Sequence, residues 1–178
     1  MGAVPGIKYR ETELSLRKGG KRMVSIVRVG SDHRAFTDLV RELDDELYQR
    51  YGAAQSAYQR YNRIEALDTV VIVCLDGIPA GCGCFKSYDE ATVELKRIFV
   101  RPENRGKGIS KTILTELERW AGELGYAEAI LETGKNQHEA IGLYQKSGYF
   151  RTDNYGQYAG MADSVCFKKD LTIPENQA

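Results

Sequence analysis

The sequence predicts a mixed α/β (α+β) domain: a mostly antiparallel central sheet with helices on its faces. Three observations carry this. Apolar runs of strand length at 69–75, 79–86 and 91–100 follow one another with turn residues between them. A helix with one apolar face comes next, marked by Ile109, Ile113, Leu117, Trp120 and Leu124 three and four residues apart. Then come a strand, a second helix and two closing strands, and no linker divides the 178 residues.

Each element has a local reason. Residues 1–22 are polar and Gly-containing and read as a poorly ordered tail, with Met23 a candidate start; 173–178 read as a second tail. The single domain is therefore expected over 23–172. Residues 23–29 alternate into a first strand. Ser31 and Asp32 offer an N-cap for a helix over 33–50, whose apolar face is Phe36, Leu39, Val40, Leu43 and Leu47. Tyr51-Gly52 ends it, and a tyrosine-rich helical segment is expected at 54–65. Asp76-Gly77 is a hairpin turn between the strands at 69–75 and 79–86. The later strands are expected around 129–131, 149–152 and 164–169, with a loop over 153–163 before the last.

Composition excludes several classes. Lysine plus arginine number 25, as do aspartate plus glutamate, so no bulk charge supports a non-specific nucleic-acid partner. No apolar run approaches the ~20 residues of a membrane span. Cys74, Cys82, Cys84 and Cys166 each lie in or beside an apolar run, without metal-knuckle spacing. They read as reduced core cysteines of a cytoplasmic protein, with no metal.

The most informative segment is Arg-Pro-Glu-Asn-Arg-Gly-Lys-Gly-Ile-Ser at 101–110, between the apolar run ending at Val100 and the amphipathic helix. A helix start carries unpaired N–H groups and partial positive charge, which suit an anion. Gly106 and Gly108 let a ligand approach the backbone, and Arg105 and Lys107 add charge. The segment describes a pyrophosphate cradle. It is not a Walker A loop, because Lys111-Thr112 would require glycine at Arg105 and Ser110. It is not a dinucleotide fingerprint either, because the third glycine would fall on Lys111.

The segment resembles the acyl-CoA pyrophosphate loop of the GNAT N-acetyltransferase superfamily, written Gln/Arg-x-x-Gly-x-Gly/Ala after a strand ending in Val. Here Glu103, Asn104, Arg105, Gly106, Lys107 and Gly108 follow Val100. A second segment is similar to the family's Asn-x-x-Ala-x-x-x-Tyr-x-x-x-Gly-Phe, with Gln137, Ala140, Tyr144 and Gly148 in register. The resemblance covers roughly 24–171 and is strongest over 93–150. Three positions depart from it. Glu103 replaces a polar or basic residue and is expected to face solvent. Ser110 stands where a third glycine is frequent, and its hydroxyl can donate to a phosphate. Gln137 stands where Asn is usual.

The resemblance implies acetyl-CoA as co-substrate. Its pyrophosphate would sit on the amides of Arg105, Gly106, Lys107, Gly108, Ile109 and Ser110. Its pantetheine would pair with the main chain of Ile98, Phe99 and Val100 and touch Gln137, with an N–H near Ile98 or Phe99 polarising the thioester. Tyr144 would be the general acid for the departing thiolate. A phenol of pKa ~10 and a thiol of ~8.5 make full transfer uphill by about 2 kcal/mol, so a hydrogen bond that matures with the thiolate is expected. Glu94 is the candidate general base, against a bland reading as a strand charge paired with Lys96; Glu132 is the second candidate. Tyr48, Tyr51, Tyr58, Tyr61, Tyr155 and Tyr158 would flank the acceptor site or simply pack. Glu42, Asp44, Asp45 and Glu46 form an acidic run, a solvated face or a lure for an amine.

The expected activity is transfer of an acetyl group to an amine by direct attack in a ternary complex, since no cysteine or serine has a nucleophile's context. The alternatives are a non-catalytic acyl-CoA-binding regulatory domain, or an acetyltransferase acting on a protein N-terminus or lysine. The acceptor is a small-molecule or peptide amine, and the resemblance leaves a homodimer open.

Overall fold

The computed structural model describes residues 23–52 and 66–172. Both expected tails, and the helical segment at 54–65 with Tyr58 and Tyr61, lie outside those residues. The expected fold class holds. Seven strands, β1 (Val24–Val29), β2 (Val70–Leu75), β3 (Ile78–Ser87), β4 (Thr92–Val100), β5 (Glu128–Gly134), β6 (Phe150–Thr152) and β7 (Ser164–Asp170), form one sheet. Their order is β1-β2-β3-β4-β5-β7-β6. The β4–β5 pair is parallel and the other five pairs are antiparallel. Three described α-helices flank the sheet: α1 (Arg34–Tyr51), α2 (Ile109–Glu123) and α3 (His138–Lys146).

β2 is buried on both faces, which is why it reads as an unbroken apolar run. Val70 and Ile72 pack with Phe36 and Leu39 of α1. Val71 and Val73 belong to the opposite core, with Ile113, Leu117 and Trp120 of α2. Asp76 and Gly77 turn β2 into β3 with positive φ at both positions (52° and 78°), as a two-residue hairpin requires.

Two local expectations need correction. His33, not Ser31 or Asp32, caps α1: its Nδ1 accepts from the Ala35 N–H at 3.3 Å. Ser31 is held elsewhere, donating its N–H to the Leu67 carbonyl (2.7 Å) and accepting the Leu67 N–H on its hydroxyl (3.0 Å). Leu124 lies past the end of α2 and is 42% exposed.

α2 lies flat on β3 because two glycines leave room for it. A Cβ at Gly83 would stand 2.8 Å from Ile113 and 2.9 Å from Leu117. A Cβ at Gly81 would stand 2.6 Å from the Phe99 carbonyl oxygen. Ion pairs to strands at the two sides of the sheet fix the helix laterally. Arg28 of β1 reaches Glu116 (2.8 Å) and Glu123 (2.6 Å) with its guanidinium over Trp120. Lys169 of β7 meets Glu118 at 2.6 Å.

Gly81→Ala is expected to destabilise the protein by about 1–3 kcal/mol, because the contact is with backbone that cannot yield. Gly122→Ala, in the last turn of α2 with nothing within 4 Å of the new Cβ, is expected to stabilise by about 0.5 kcal/mol. Urea denaturation of the two variants checks both signs.

Candidate functional site

β4 pairs with β5 from Thr92↔Glu128 to Leu95↔Leu131 and no further. β5 runs on beside β7 to Gly134, and β4 runs on beside β3 to Val100, so the two neighbours part. At the point of parting β4 carries a bulge. Cys84 faces Lys96 but Cys82 faces Phe99, leaving Arg97 and Ile98 opposite Gly83 alone. Arg97 is left-handed, with φ 59°, an uncommon state for a residue with a side chain.

The bulge changes which way β4 turns its main chain. Before it, the Tyr88 N–H donates to the Thr92 carbonyl (2.9 Å), so Thr92, Glu94 and Lys96 address β3. After it, the Arg101 N–H donates to the Ala80 carbonyl (3.0 Å), so Phe99 and Arg101 address β3. Ile98 and Val100 are thereby turned to the side that β5 has left. The side chains shift in step: Val93, Leu95, Ile98 and Val100 all pack in the core beneath α2, while Phe99 packs under α1. An N–H facing the gap comes from Ile98, not from Phe99.

The loop into α2 begins with a 3-10 turn (Pro102–Asn104). Gly106 (φ 72°) and Gly108 (φ 80°) are left-handed, and a Cβ at either would meet nothing within 4 Å. Glycine is needed here for the backbone conformation, and the space beside it is open. The N–H groups of residues 106–111 have no acceptor among the described residues. They form a nest at the positive end of α2, fit for a multiply charged anion. The Arg105 N–H does not join them, because it donates to the Pro102 carbonyl at 3.2 Å.

The two basic side chains of the loop are also held locally. Arg105 Nε donates to the Val100 carbonyl (3.0 Å), and its guanidinium pairs with Glu46 of α1. Lys107 Nζ binds the Glu103 carbonyl (2.6 Å) and Asn104 Oδ1 (3.0 Å). Glu103 is exposed, as expected. Ile109 is buried in the core and Ser110 is half-buried.

A cleft of about 130 Å³ occupies the gap between β4 and β5. Leu95, Lys96, Arg97 and Ile98 form one wall and Glu132, Thr133 and Gly134 the other. Leu43, Leu47 and Tyr51 of α1 border it, as do Gln137 and Tyr144 of α3 and its entry. Gly134 is glycine for contact reasons, since its Cβ would stand 2.5 Å from the Tyr51 hydroxyl. Gln137 caps the entry to α3 and accepts from the Thr133 hydroxyl at 3.2 Å.

Tyr144 is buried, its ring edge-on to Tyr149 and tilted against Phe167, both at 5.9 Å. Its side chain lines the cleft. Burial, and secondarily the Glu132 charge, push its phenol above the ordinary range, so it stays protonated.

The two carboxylate candidates separate. Glu94 does not line the cleft. It is 1% exposed and lies beside Lys96, whose Nζ is 3.2 Å from its Oε1. The Tyr155 hydroxyl donates to the same oxygen (3.3 Å), and Lys86 stands 3.1 Å from Oε2 without hydrogen-bond alignment. Glu94 is paired along its strand as the bland reading expected, but the pair is buried rather than solvated. Glu132 does line the cleft, and accepts from the Ser164 hydroxyl at 2.6 Å. Burial raises its carboxyl above the usual range, opposed by the Ser164 hydrogen bond and the Lys96 charge.

Other expected acceptor groups are engaged in packing. Tyr155 and Tyr158 stack edge-on at 5.5 Å over the Glu94–Lys96 pair, and Lys96 donates to the Tyr158 hydroxyl (3.0 Å). Tyr51 reaches the cleft, while Tyr48 is exposed. Three members of the acidic run are paired with arginines: Glu42 with Arg101 (2.7 Å), Asp44 with Arg97 (2.6 Å) and Glu46 with Arg105. Asp45 remains exposed. Lys96 and Arg97 are the site residues that sequence reasoning missed.

Among the described residues no His, Cys, Asp or Glu side chains gather as a metal site, and all four cysteines are free. No described helix is long and apolar enough to cross a membrane.

Known proteins resemble this chain in sequence and in fold. The family model described as "Acetyltransferase (GNAT) family" matches residues 35–149. An IAA acetyltransferase of Azospirillum brasilense is 31% identical over 150 residues, covering 83% of this chain and 98% of the relative. A solved Klebsiella pneumoniae structure, described as an acyl-CoA N-acyltransferase, superposes with TM-score 0.65 at 26% identity, over 84% of this chain and 97% of its own. A GNAT family acetyltransferase of Elizabethkingia anophelis, solved with acetyl-CoA bound, shares the fold with TM-score 0.59 at 18% identity, over 83% and 97% of the two chains.

The Glu132 environment has a consequence for stability. The folded chain holds the Glu132 proton more tightly than the unfolded chain, whose carboxyl titrates near ~4.3. That contribution is full below the unfolded value and is lost as pH rises through the folded one. The stability of Glu132→Gln relative to the parent is therefore expected to grow as pH rises above the unfolded carboxyl's ~4.3. Denaturation at several pH values checks this; parallel curves would contradict the raised carboxyl.

Proposed function

Because the chain belongs to the acetyltransferase (GNAT) family and is an N-acetyltransferase using acetyl-CoA, we propose that an amine attacks the acetyl group directly, in the cleft between β4 and β5. The observation that carries this is an open strand edge (Ile98 and Val100) continuous with a loop of unclaimed N–H groups. Acetyl-CoA supplies an acetyl group already activated as a thioester. The residues present fit such a ligand: a donor nest for a pyrophosphate, and the main chain of Ile98 and the Val100 N–H, turned to the gap, for an amide-bearing arm.

The N–H groups of Gly106, Lys107, Gly108, Ile109 and Ser110 hold the pyrophosphate, aided by the end charge of α2. Ile98 and Val100 pair with the pantetheine, and Gln137 borders it. The Ile98 N–H stabilises negative charge on the carbonyl oxygen as the amine adds. Glu132 takes the proton that the ammonium must lose, in a position that Glu94 does not have. A carboxyl raised by burial is the better base, since its affinity for a proton lies nearer that of the amine. Tyr144 donates its hydroxyl hydrogen to the sulfur as the carbon–sulfur bond breaks. Its raised phenol makes complete early transfer still less favourable than the ~2 kcal/mol of the free groups, so the hydrogen bond strengthens late.

The small cleft and the apolar side chains of Leu43 and Leu47 favour a compact amine with an apolar body over a polypeptide. We place the protein in the cytoplasm on the chemistry of its free thiols.

The test is amine-dependent CoA release over a panel of small amines and peptides, with Tyr144→Phe alongside. The parent is expected to turn over a small amine. The variant is expected to lose about 10²-fold in kcat with acetyl-CoA affinity unchanged by calorimetry. Acetyl-CoA binding without CoA release for any amine would instead support a non-catalytic acyl-CoA-binding domain.

A further inference from the structure

We infer that the Asp44–Arg97 ion pair is a positioning device for catalysis: it holds Arg97 in the left-handed conformation that turns the Ile98 N–H into the cleft. The inference rests on the proposed role of Ile98.

Arg97 is one of two non-glycine residues with positive φ among those described; the other, Asp76, sits in a hairpin turn that calls for it. Nothing in an arginine favours this conformation, which crowds Cβ against the following carbonyl. Strain of this kind persists where the surroundings over-determine it. The surroundings here are specific. The Arg97 side chain is 8% exposed, and its Nη1 donates to Asp44 Oδ1 of α1 at 2.6 Å. Gly83, opposite the bulge, has no side chain to resist it, and its missing Cβ would stand 3.2 Å from Ile98.

The alternative state is equally specific. If Arg97 relaxes to an extended conformation and the strand beyond it slips by one residue against β3, the two-against-one count at Gly83 disappears and alternation continues through β4 unbroken. Ile98 and Val100 would then address β3, and Phe99 the gap. The ion pair thus selects between two addresses of one strand.

Asp44 lies between Leu43 and Leu47, which line the cleft, so the same contact registers the wall of α1. Its loss would not undock α1, because Glu42–Arg101 and Glu46–Arg105 flank it. Arg97 and Asp44 need not touch substrate. They act through the Ile98 amide.

The test uses Asp44→Asn, Asp44→Glu and the double variant Asp44→Asn/Arg97→Gly in the full chain. Asp44→Asn is expected to lower kcat about tenfold, less than the ~10²–10³-fold for removing an oxyanion donor outright. KM for acetyl-CoA should change little, because the loop nest is intact. Asp44→Glu should recover most of kcat. Glycine adopts left-handed φ without a clamp, so the double variant should exceed Asp44→Asn in kcat although it carries one more change. The backbone amide chemical shift of Ile98, read by NMR, should move in Asp44→Asn and return in the double variant. An unmoved Ile98 amide with parental kcat in Asp44→Asn overturns the inference. A double variant no better than Asp44→Asn overturns it too. The amide readout keeps the inference testable apart from the catalytic reading: if the parent shows no turnover, the reaction assignment fails while the Ile98 shift still reports whether the pair holds the bulge.

Discussion

Two residues of β4, Arg97 and Ile98, face a single residue of β3, Gly83, and the alternation of a strand turns that miscount into a change of address. The Thr92 and Arg101 bonds, with the register, put the even-numbered residues toward β3 up to Lys96 and the odd-numbered ones from Phe99. A parallel neighbour beside β4 would simply take up the reoriented groups. β5 instead leaves after Leu95↔Leu131, so Ile98 and Val100 present main-chain donors and acceptors to a gap. Buried backbone groups must find partners. The protein itself supplies one, since Arg105 satisfies the Val100 carbonyl.

The rest of the site is arranged around that gap by packing. The absence of side chains at Gly81 and Gly83 lets α2 lie close over β3, which brings the helix N-terminus and its preceding loop to the end of β4. α1 covers the opposite face, fixed by a ladder of three acidic side chains against Arg97, Arg101 and Arg105. Tyr144 is wedged between Tyr149 and Phe167, so its hydroxyl has little freedom to leave the cleft. The buried Glu94–Lys96 pair is roofed by Tyr155 and Tyr158, and its two charges act on Glu132 in opposite directions. A charge pair removed from water is sensitive to loss of either member, which is one reason to read Glu94 as part of the scaffold.

Much of the fold was legible because it rests on local periodicity. The three-and-four spacing of α2, the alternation of the strands and the Asp76-Gly77 turn each specify an element without long-range help. The backbone shape of the loop before α2 was legible for the same reason, since Gly106 and Gly108 between a strand and a helix take left-handed φ. What failed depended on partners far away in sequence. Glu94 stood open between a base and a strand charge paired with Lys96, because nothing near it in sequence shows that Tyr155 and Lys86 close over it. The acidic run of α1 looked solvated because its arginines lie more than fifty residues on. Arg105 looked like a ligand for phosphate because its partner Glu46 is equally remote. One signal was present and unread. The apolar alternation of β4 runs Val93, Leu95, then Ile98, Val100, and the step of three where two is regular marks the bulge.

The most direct test of this account is residue-resolved amide hydrogen exchange with and without acetyl-CoA. The Ile98 and Val100 amides should be poorly protected in the free protein, while Phe99 is protected by its bond to β3. Acetyl-CoA should slow exchange at Ile98 and Val100 and leave Phe99 almost unchanged. Acetyl-CoA binding with no added protection at Ile98 and Val100 would contradict the claim that the bulge turns this strand edge toward the ligand.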